Sequence, residues 1–192
     1  MKREANIIGR LPAQFKKTVV MALFFCLFCM QGMDAQTRPS LENQVKAAFL
    51  FNFTRFVSWP SSCFRSPDAP FVIGIAGTDP FGNYLDELVQ GEHVGSHPIR
   101  IERYSDVDDI SNCQIVYIDA SDPPMIKDIL SEAWHKSILT VSDAGNFTKM
   151  GGIVHFFNED NKIKIGINIA AARSSQLEIS AKLLRVAKVS KD

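Results

Sequence analysis

Residues 71–77 read FVIGIAG, an unbroken apolar run that ends in glycine. A run of this kind is typical of a β-strand that is buried on both faces of a parallel sheet. Two further runs of this kind follow, QIVYI at 114–118 and SILTV at 137–141. Helical patterns lie between the three runs. Strands that alternate with helices at this spacing predict a three-layer α/β domain with right-handed crossovers.

The connecting segments carry helix-start signals. Thr78 and Asp79 precede Pro80, which predicts a helix over 80–90 with an inward face. The next helix is predicted over 123–135. Residues 94–104 alternate well enough to predict a second, more exposed strand. The inward residues of the two helices are expected to be Phe81, Tyr84, Leu85 and Leu88 in the first, and Met125, Ile129, Leu130 and Trp134 in the second.

An aromatic-rich helix precedes the first strand. Ser40 is a suitable N-cap, and the helix should end before Trp59 and Pro60. Its apolar residues recur every three or four positions and predict one apolar face. Two interpretations remain open: packing against the sheet, or an exposed stripe that binds a partner. The residues of this face are Leu41, Val45, Ala48, Phe49, Phe53 and Phe56.

The pattern changes after Gly152. Residues 153–157 and 162–167 flank Asn158–Asn161, which predicts a β-hairpin with a four-residue turn. Residues 168–189 are predicted to be helical, with a break near Ser174 and with Ser180 capping the terminal helix. The expected fold is therefore a single three-layer α/β domain with a mostly parallel central sheet, helices on both faces and a C-terminal β-hairpin plus helix.

The N-terminus has the pattern of a secretory signal peptide: a basic stretch, 13 apolar residues at 18–30 and a short polar segment. As a helix the apolar part would be about 20 Å long, too short for the about 30 Å of a hydrocarbon core. We predict a signal peptide at 1–35, cleaved near Ala35, and a mature domain at 36–192 that does not span the membrane.

Charge excludes one class of partner. The chain has 21 basic and 21 acidic residues, but five of the basic and only two of the acidic ones lie in 1–35. The mature domain is therefore slightly acidic and has no basic run. Because nucleic-acid binding needs a basic surface, we predict no nucleic-acid partner.

Two of the four cysteines, Cys63 and Cys113, remain after cleavage. In an oxidising compartment we expect them to form a disulfide with each other. Two buried unpaired thiols are the alternative. A zinc site is less favoured, because the four histidines are scattered and do not have ligand spacing.

Carboxylates and hydroxyls follow the three buried strands, at the edge where open α/β sheets bind ligands. This candidate ligand edge consists of Asp79, Asp119, Ser121, Ser142 and Asp143. The three aspartates could together hold a hard divalent cation. The simpler interpretation is that these residues cap helices and form turns, so we predict no metal and no cofactor.

The motifs of common enzyme classes are missing from the sequence. Its glycines have neither P-loop nor dinucleotide-binding spacing, and no Gly-x-Ser-x-Gly sequence occurs. His135 and His155 are better explained as a helix-end residue and a strand residue than as general bases. We therefore predict that the protein is not an enzyme.

Several segments together resemble the YfiR/HmsC family, from about Val45 to Ala187. The segments are Val45–Pro60, Asp79–Gly82, Leu139–Asp143, Gly151–Ile153 and Ile167–Arg173, with Ile179–Ser180 and Leu183–Leu184. No single segment is specific, but their order and spacing are.

The resemblance implies a non-catalytic periplasmic protein that represses an inner-membrane diguanylate cyclase through its periplasmic part, lowering cyclic-di-GMP and biofilm formation. Cys63 and Cys113 fall where the family tends to place a redox-responsive pair. A homodimer is an open alternative among the partners. The competing hypothesis is a periplasmic protein that binds a small solute at the carboxyl-end edge of the sheet.

Overall fold

A computed structural model describes residues 39–105, 110–119, 121 and 123–190. The predicted signal peptide at 1–35 and its cleavage near Ala35 lie outside these described residues. Within the described ranges, no helix is long and apolar enough to cross a membrane.

The described residues form five α-helices and ten strands. The helices are α1 (Leu41–Phe56), α2 (Asn83–Val89), α3 (Pro123–Ala133), α4 (Ile169–Ser174) and α5 (Ala181–Leu184). The strands are β1 (Val57–Ser58), β2 (Phe71–Ala76), β3 (His93–Val94), β4 (His97–Tyr104), β5 (Ile115–Ile118), β6 (Leu139–Ser142), β7 (Val154–Glu159), β8 (Lys162–Asn168), β9 (Glu178–Ile179) and β10 (Lys188–Ser190).

Eight strands form a mixed sheet in the order β10-β8-β7-β6-β5-β2-β4-β3, and β1 pairs with β9 separately. The pairs β7–β8 and β3–β4 are antiparallel, and the other five pairs of the large sheet are parallel. The buried central strands β2, β5 and β6 come from the three predicted apolar runs. The α/β fold with a mostly parallel sheet is therefore confirmed.

The side chains of the central strands divide between two apolar clusters. On β2, Phe71, Ile73 and Ile75 pack in the cluster that contains residues of α1 and α2. Val72 and Ala76 pack in the other cluster, with residues of α3. Because successive side chains of a strand point to opposite faces, the sheet is covered by helices on both sides. The predicted three-layer arrangement follows from this alternation.

Helix α1 has the predicted limits, and Ser40 caps it by accepting a hydrogen bond from the Asn43 amide at 3.2 Å. Its buried face differs from the predicted one. Leu41 and Val45 are exposed, whereas Lys46, Ala47, Leu50, Phe51, Phe53 and Thr54 are buried. The ring of Phe53 stacks on Phe156 of β7 at a centroid distance of 6.1 Å. Most of the aromatic residues of this helix therefore pack on the sheet.

Helix α2 begins at Asn83, so the predicted start at Pro80 is wrong. The carboxylate of Asp79 accepts hydrogen bonds from the amides of Phe81 and Gly82 at 2.7 and 3.2 Å. These bonds close a turn, and Gly82 follows it with a φ of +51°. A residue in this left-handed conformation cannot be part of an α-helix, so the helix begins only after Gly82.

The predicted strand at 94–104 is interrupted at its start: β3 and β4 form an antiparallel pair whose turn includes Gly95 with a φ of +62°. The turn between β7 and β8 is also shorter than predicted. It consists of Asp160 and Asn161 alone, with φ values of 53° and 58°. Two consecutive positive φ values are characteristic of the type I′ turn of tight hairpins. The predicted four-residue turn is therefore wrong.

Two predictions near helix ends are also wrong. Residues 168–189 contain the short helices α4 and α5, but also the strands β9 and β10. The cap of α5 is as predicted, since Ser180 accepts from the Leu183 amide at 3.3 Å. Trp134 was expected on the buried side of α3, yet it is 58% exposed. The reason is that α3 ends at Ala133 and that His135 adopts a φ of +58°.

Candidate functional site

The polar residues of the candidate ligand edge follow the carboxyl ends of the central strands. Ala76 is in register with Ile118, and Ile118 with Ser142, so the residues that follow these strands lie side by side. Asp119 and Asp143 are each the first residue after a strand. Asp79 lies further out, in the turn before α2.

Asp79 and Ser142 have internal partners. Besides capping its turn, Asp79 accepts a hydrogen bond from the guanidinium of Arg103 at 2.7 Å. The hydroxyl of Ser142 is fully buried, donates to the Ile118 carbonyl at 2.8 Å and accepts from the Ala144 amide at 3.1 Å. A solute at this edge could reach Ser142 only if these bonds were broken.

Asp119 and Ser121 bond to each other, the hydroxyl of Ser121 donating to the carboxylate of Asp119. Burial opposes ionisation of Asp119, but hydrogen bonds from Ser121 and Thr78 outweigh it and lower the pKa of this carboxyl. Asp119 is therefore ionised and engaged within its own loop.

Asp143 belongs to an ion-pair cluster that the sequence did not reveal, formed by a buried lysine and two partly exposed carboxylates. Lys46 of α1, whose side chain is 6% exposed, lies 2.6 Å from the carboxylate of Asp143 and 2.7 Å from that of Glu42. Burial disfavours the charged ammonium, yet the two carboxylates outweigh burial and raise the pKa of Lys46. The cluster ties α1 to the loop after β6.

Tyr117 and His155 border the same cluster. Burial and the neighbouring Asp143 raise the pKa of Tyr117, so its hydroxyl stays protonated. Burial lowers the pKa of His155, although the negative charge of Asp143 and a hydrogen bond with its main chain partly oppose this shift. A cavity of about 310 Å³ is lined by Glu42, Lys46, Asp143 and His155, together with residues of β7 and β8.

A larger cavity, of about 500 Å³, lies at the opposite edge of the sheet. Val72, Gln114 and Ile138, at or just before the amino ends of β2, β5 and β6, form part of its lining. Cys63, Phe64 and other residues of the segment 61–70 line it from the other side. The sequence predicted a ligand site at the carboxyl ends of the strands and did not indicate this cavity at their amino ends.

Gln114 and Trp59 fix the segment that covers this cavity. The buried side chain of Gln114 donates to the Cys63 carbonyl at 3.3 Å and accepts from the Val72 amide at 2.7 Å. The indole of Trp59 donates to the main-chain carbonyl of Gln114 at 3.0 Å. One buried amide side chain thus joins the 61–70 segment to two strands.

Cys63 and Cys113 both line this cavity. The thiol of Cys113 donates to the Tyr104 hydroxyl at 3.4 Å, and that hydroxyl donates to the Glu102 carboxylate at 2.5 Å. Gly74 makes room for this arrangement, because a Cβ there would lie 2.7 Å from the Cys113 sulfur. Burial raises the pKa of the Cys63 thiol. The two sulfurs are not bonded to each other in the structure, and the disulfide stays a prediction.

Within the described ranges, no group of three or more His, Cys, Asp and Glu side chains is arranged to hold a metal ion. His135 lies beside the Ser174 carbonyl, at 3.3 Å, and His155 lies on β7. The site region therefore contains two cavities, one at each end of the central strands, and the ion-pair cluster of Lys46.

Comparison with known proteins identifies a family. A family model described as YfiR/HmsC-like matches residues 43–188, which is more than half of the chain. No curated protein matches the chain.

Proposed function

The chain belongs to the YfiR/HmsC-like family, and on this basis we propose that it is a non-catalytic periplasmic protein that represses an inner-membrane diguanylate cyclase. By binding the periplasmic part of the cyclase it lowers cyclic-di-GMP and biofilm formation. The family match over residues 43–188 is the observation that carries this proposal. The export signal predicted at 1–35 agrees with it.

Repression by binding has a thermodynamic requirement. A ligand shifts a two-state receptor only if it binds the inactive state more tightly than the active one. A difference of about 2 to 3 kcal/mol changes the ratio of the two states by about 30- to 150-fold. The protein therefore needs a surface that fits one state of the cyclase, and it needs no reaction of its own.

Deletion of the gene in its own host tests the proposal. We expect cyclic-di-GMP to rise on deletion and to return to the original level when the full chain is supplied from a plasmid. Unchanged cyclic-di-GMP, with the cyclases of the host expressed, would contradict the regulatory function.

A small-solute-binding protein is the second candidate, and the cavity of about 500 Å³ favours it. This volume is within the usual range for small-molecule sites, and the lining combines apolar with polar groups. The site would then lie at the amino ends of the strands, opposite the candidate edge of Asp79, Asp119, Ser121, Ser142 and Asp143. A rise in melting temperature with a defined solute, lost in Ser62→Trp, which changes an exposed lining residue, would support this candidate.

A further inference from the structure

The C-terminal end of α3 carries the most exposed aromatic ring that the structure describes. Trp134 is 58% exposed and Met150 is 41% exposed, and both line an open groove of about 550 Å³. Leu130, Ser131 and Lys127 complete the lining. Exposed apolar residues gathered in one groove often mark an interaction site. We call these five residues the α3 groove.

The Trp134 ring lies close to other residues of its own domain. A Cβ at Gly151 would lie 3.8 Å from the ring, so the Gly151 backbone is close to its inner face. The His135 ring meets it edge-on at a centroid distance of 5.0 Å, and His135 lies 3.3 Å from the Ser174 carbonyl. The Trp134 side chain therefore has neighbours in its own domain and still leaves more than half of its surface exposed to a partner.

The lining of the α3 groove carries one charge, that of Lys127. Lys149 lies outside the lining and precedes Met150 in the chain. Both lysines are exposed, and neither takes part in an ion pair with another described residue. The acidic residues of α3, Asp128 and Glu132, do not line the groove. A partner segment with carboxylates beside an apolar side chain would complement this surface.

A second copy of the chain complements it less well. A two-fold contact of the groove with itself would bring Lys127 of both copies into one interface. Like charges brought together in an interface oppose association. The charge pattern therefore favours a different protein with an acidic surface.

We propose that the α3 groove is the surface on which the repressed membrane partner docks, through an acidic segment with an apolar side chain that inserts between Trp134 and Met150. This assignment rests on the proposed function. Tryptophan is enriched among the residues that dominate binding energy, and methionine adapts to the shape of an inserted group. Lys127 and Lys149 then attract the carboxylates of the partner.

The test uses the deletion strain, supplied with the full chain or with variants. Trp134→Ala and Lys127→Glu should each lose most of the repression of cyclic-di-GMP. The matched controls are Val186→Ala and Lys182→Glu, which change exposed residues outside the groove and should repress like the original chain. Purified variants should unfold at the same urea concentration as the original chain, because the altered side chains are exposed. If Trp134→Ala fails to fold, Lys127→Glu decides the test.

The outcomes separate the two proposals. If deletion raises cyclic-di-GMP but Trp134→Ala and Lys127→Glu repress normally, the docking surface is wrong and the regulatory function stands. If deletion has no effect, both are wrong. Sedimentation of the purified chain tests whether a second copy of the chain occupies the groove. A dimer that Trp134→Ala converts to a monomer would show that the groove joins two copies. That result would overturn the docking proposal.

Discussion

At the scale of single residues, the ion pairs of Lys46 are the clearest case of a charge that tertiary structure places in the interior. A lysine is rarely buried unless it is paired. Here two carboxylates, Glu42 from the same helix and Asp143 from the loop after β6, surround its ammonium group. The pair with Asp143 joins residues 97 positions apart in the chain.

Replacing Lys46 by methionine should destabilise the domain. Methionine keeps much of the side-chain volume but leaves Asp143 without its cation, and hydrogen bonds to charged groups contribute about 1.5 to 3 kcal/mol. The exposed pair Lys136–Glu132 offers a matched control, since Lys136→Met should cost at most about 1 kcal/mol. Urea unfolding of both variants measures the difference. Equal losses of stability would contradict the buried ion pair.

His155 should make stability depend on pH in the mildly acidic range. Burial holds the pKa of His155 below its ordinary value of 6.5. As the pH falls below 6.5 the unfolded chain takes up this proton first, so the free energy of unfolding decreases until the pH is below the folded pKa. The lowered pKa of Asp119 reduces the free energy of unfolding in a different pH range, below pH 3.8.

The measurement is urea unfolding at several pH values between 7.5 and 5. The original chain should lose stability over this range, and His155→Gln should lose less, because glutamine does not titrate. The same slope in both proteins would show that His155 is not the responsible group.

At the scale of elements, a close contact between Gly152 and Phe147 determines how the segment between β6 and β7 is packed. The segment between β6 and β7 turns back on itself, and Gly152 lies directly against the fully buried ring of Phe147. Its amide donates to the Phe147 carbonyl at 3.0 Å. A side chain at this position would occupy the space of the ring, so β7 could not enter the sheet in its present register.

Gly152→Ala should therefore destabilise the domain by about 1 to 3 kcal/mol, the usual cost of overpacking a core. Gly145→Ala is the control, because a Cβ at Gly145 has no atom within 4 Å and the residue is not in the left-handed region. Thermal unfolding should show a lower melting temperature for the first variant alone. A normal melting temperature for Gly152→Ala would mean that Phe147 moves aside at little cost.

At the scale of the whole molecule, the predicted disulfide would join the 61–70 segment to the start of β5. Both cysteines line one cavity, and the bridge would close a loop of about 50 residues, worth about 4 kcal/mol in the chain-entropy model. Protein from the periplasm should therefore lose about this much unfolding free energy when reductant is added. Cys63→Ala should be as stable with reductant as without it.

Thiol labelling of denatured, unreduced protein gives an independent measurement of the same bridge. Labelled cysteine at both Cys63 and Cys113 would contradict the disulfide. The alternative of two unbonded thiols would then be correct.

The apolar runs of the sequence determined the architecture. Runs at 71–77, 114–118 and 137–141 became β2, β5 and β6, because strands buried on both faces need apolar residues at every position. Helix limits were predicted where a local cap exists, as at Ser40 and Ser180. The predicted helix start was wrong where a turn precedes the helix. At Asp79 the carboxylate accepts hydrogen bonds from two amides before α2 begins.

Only the tertiary structure decided which polar groups meet. The sequence named Asp143, but its partner Lys46 lies on another element, and nothing local indicates that the two are in contact. The cavity beside Cys63 exists because Gln114 and Trp59 hold a distant segment, and Trp134 is exposed because α3 ends one residue before it. Local patterns determine elements through backbone preference and apolar periodicity, whereas contacts between elements depend on how the assembled layers pack.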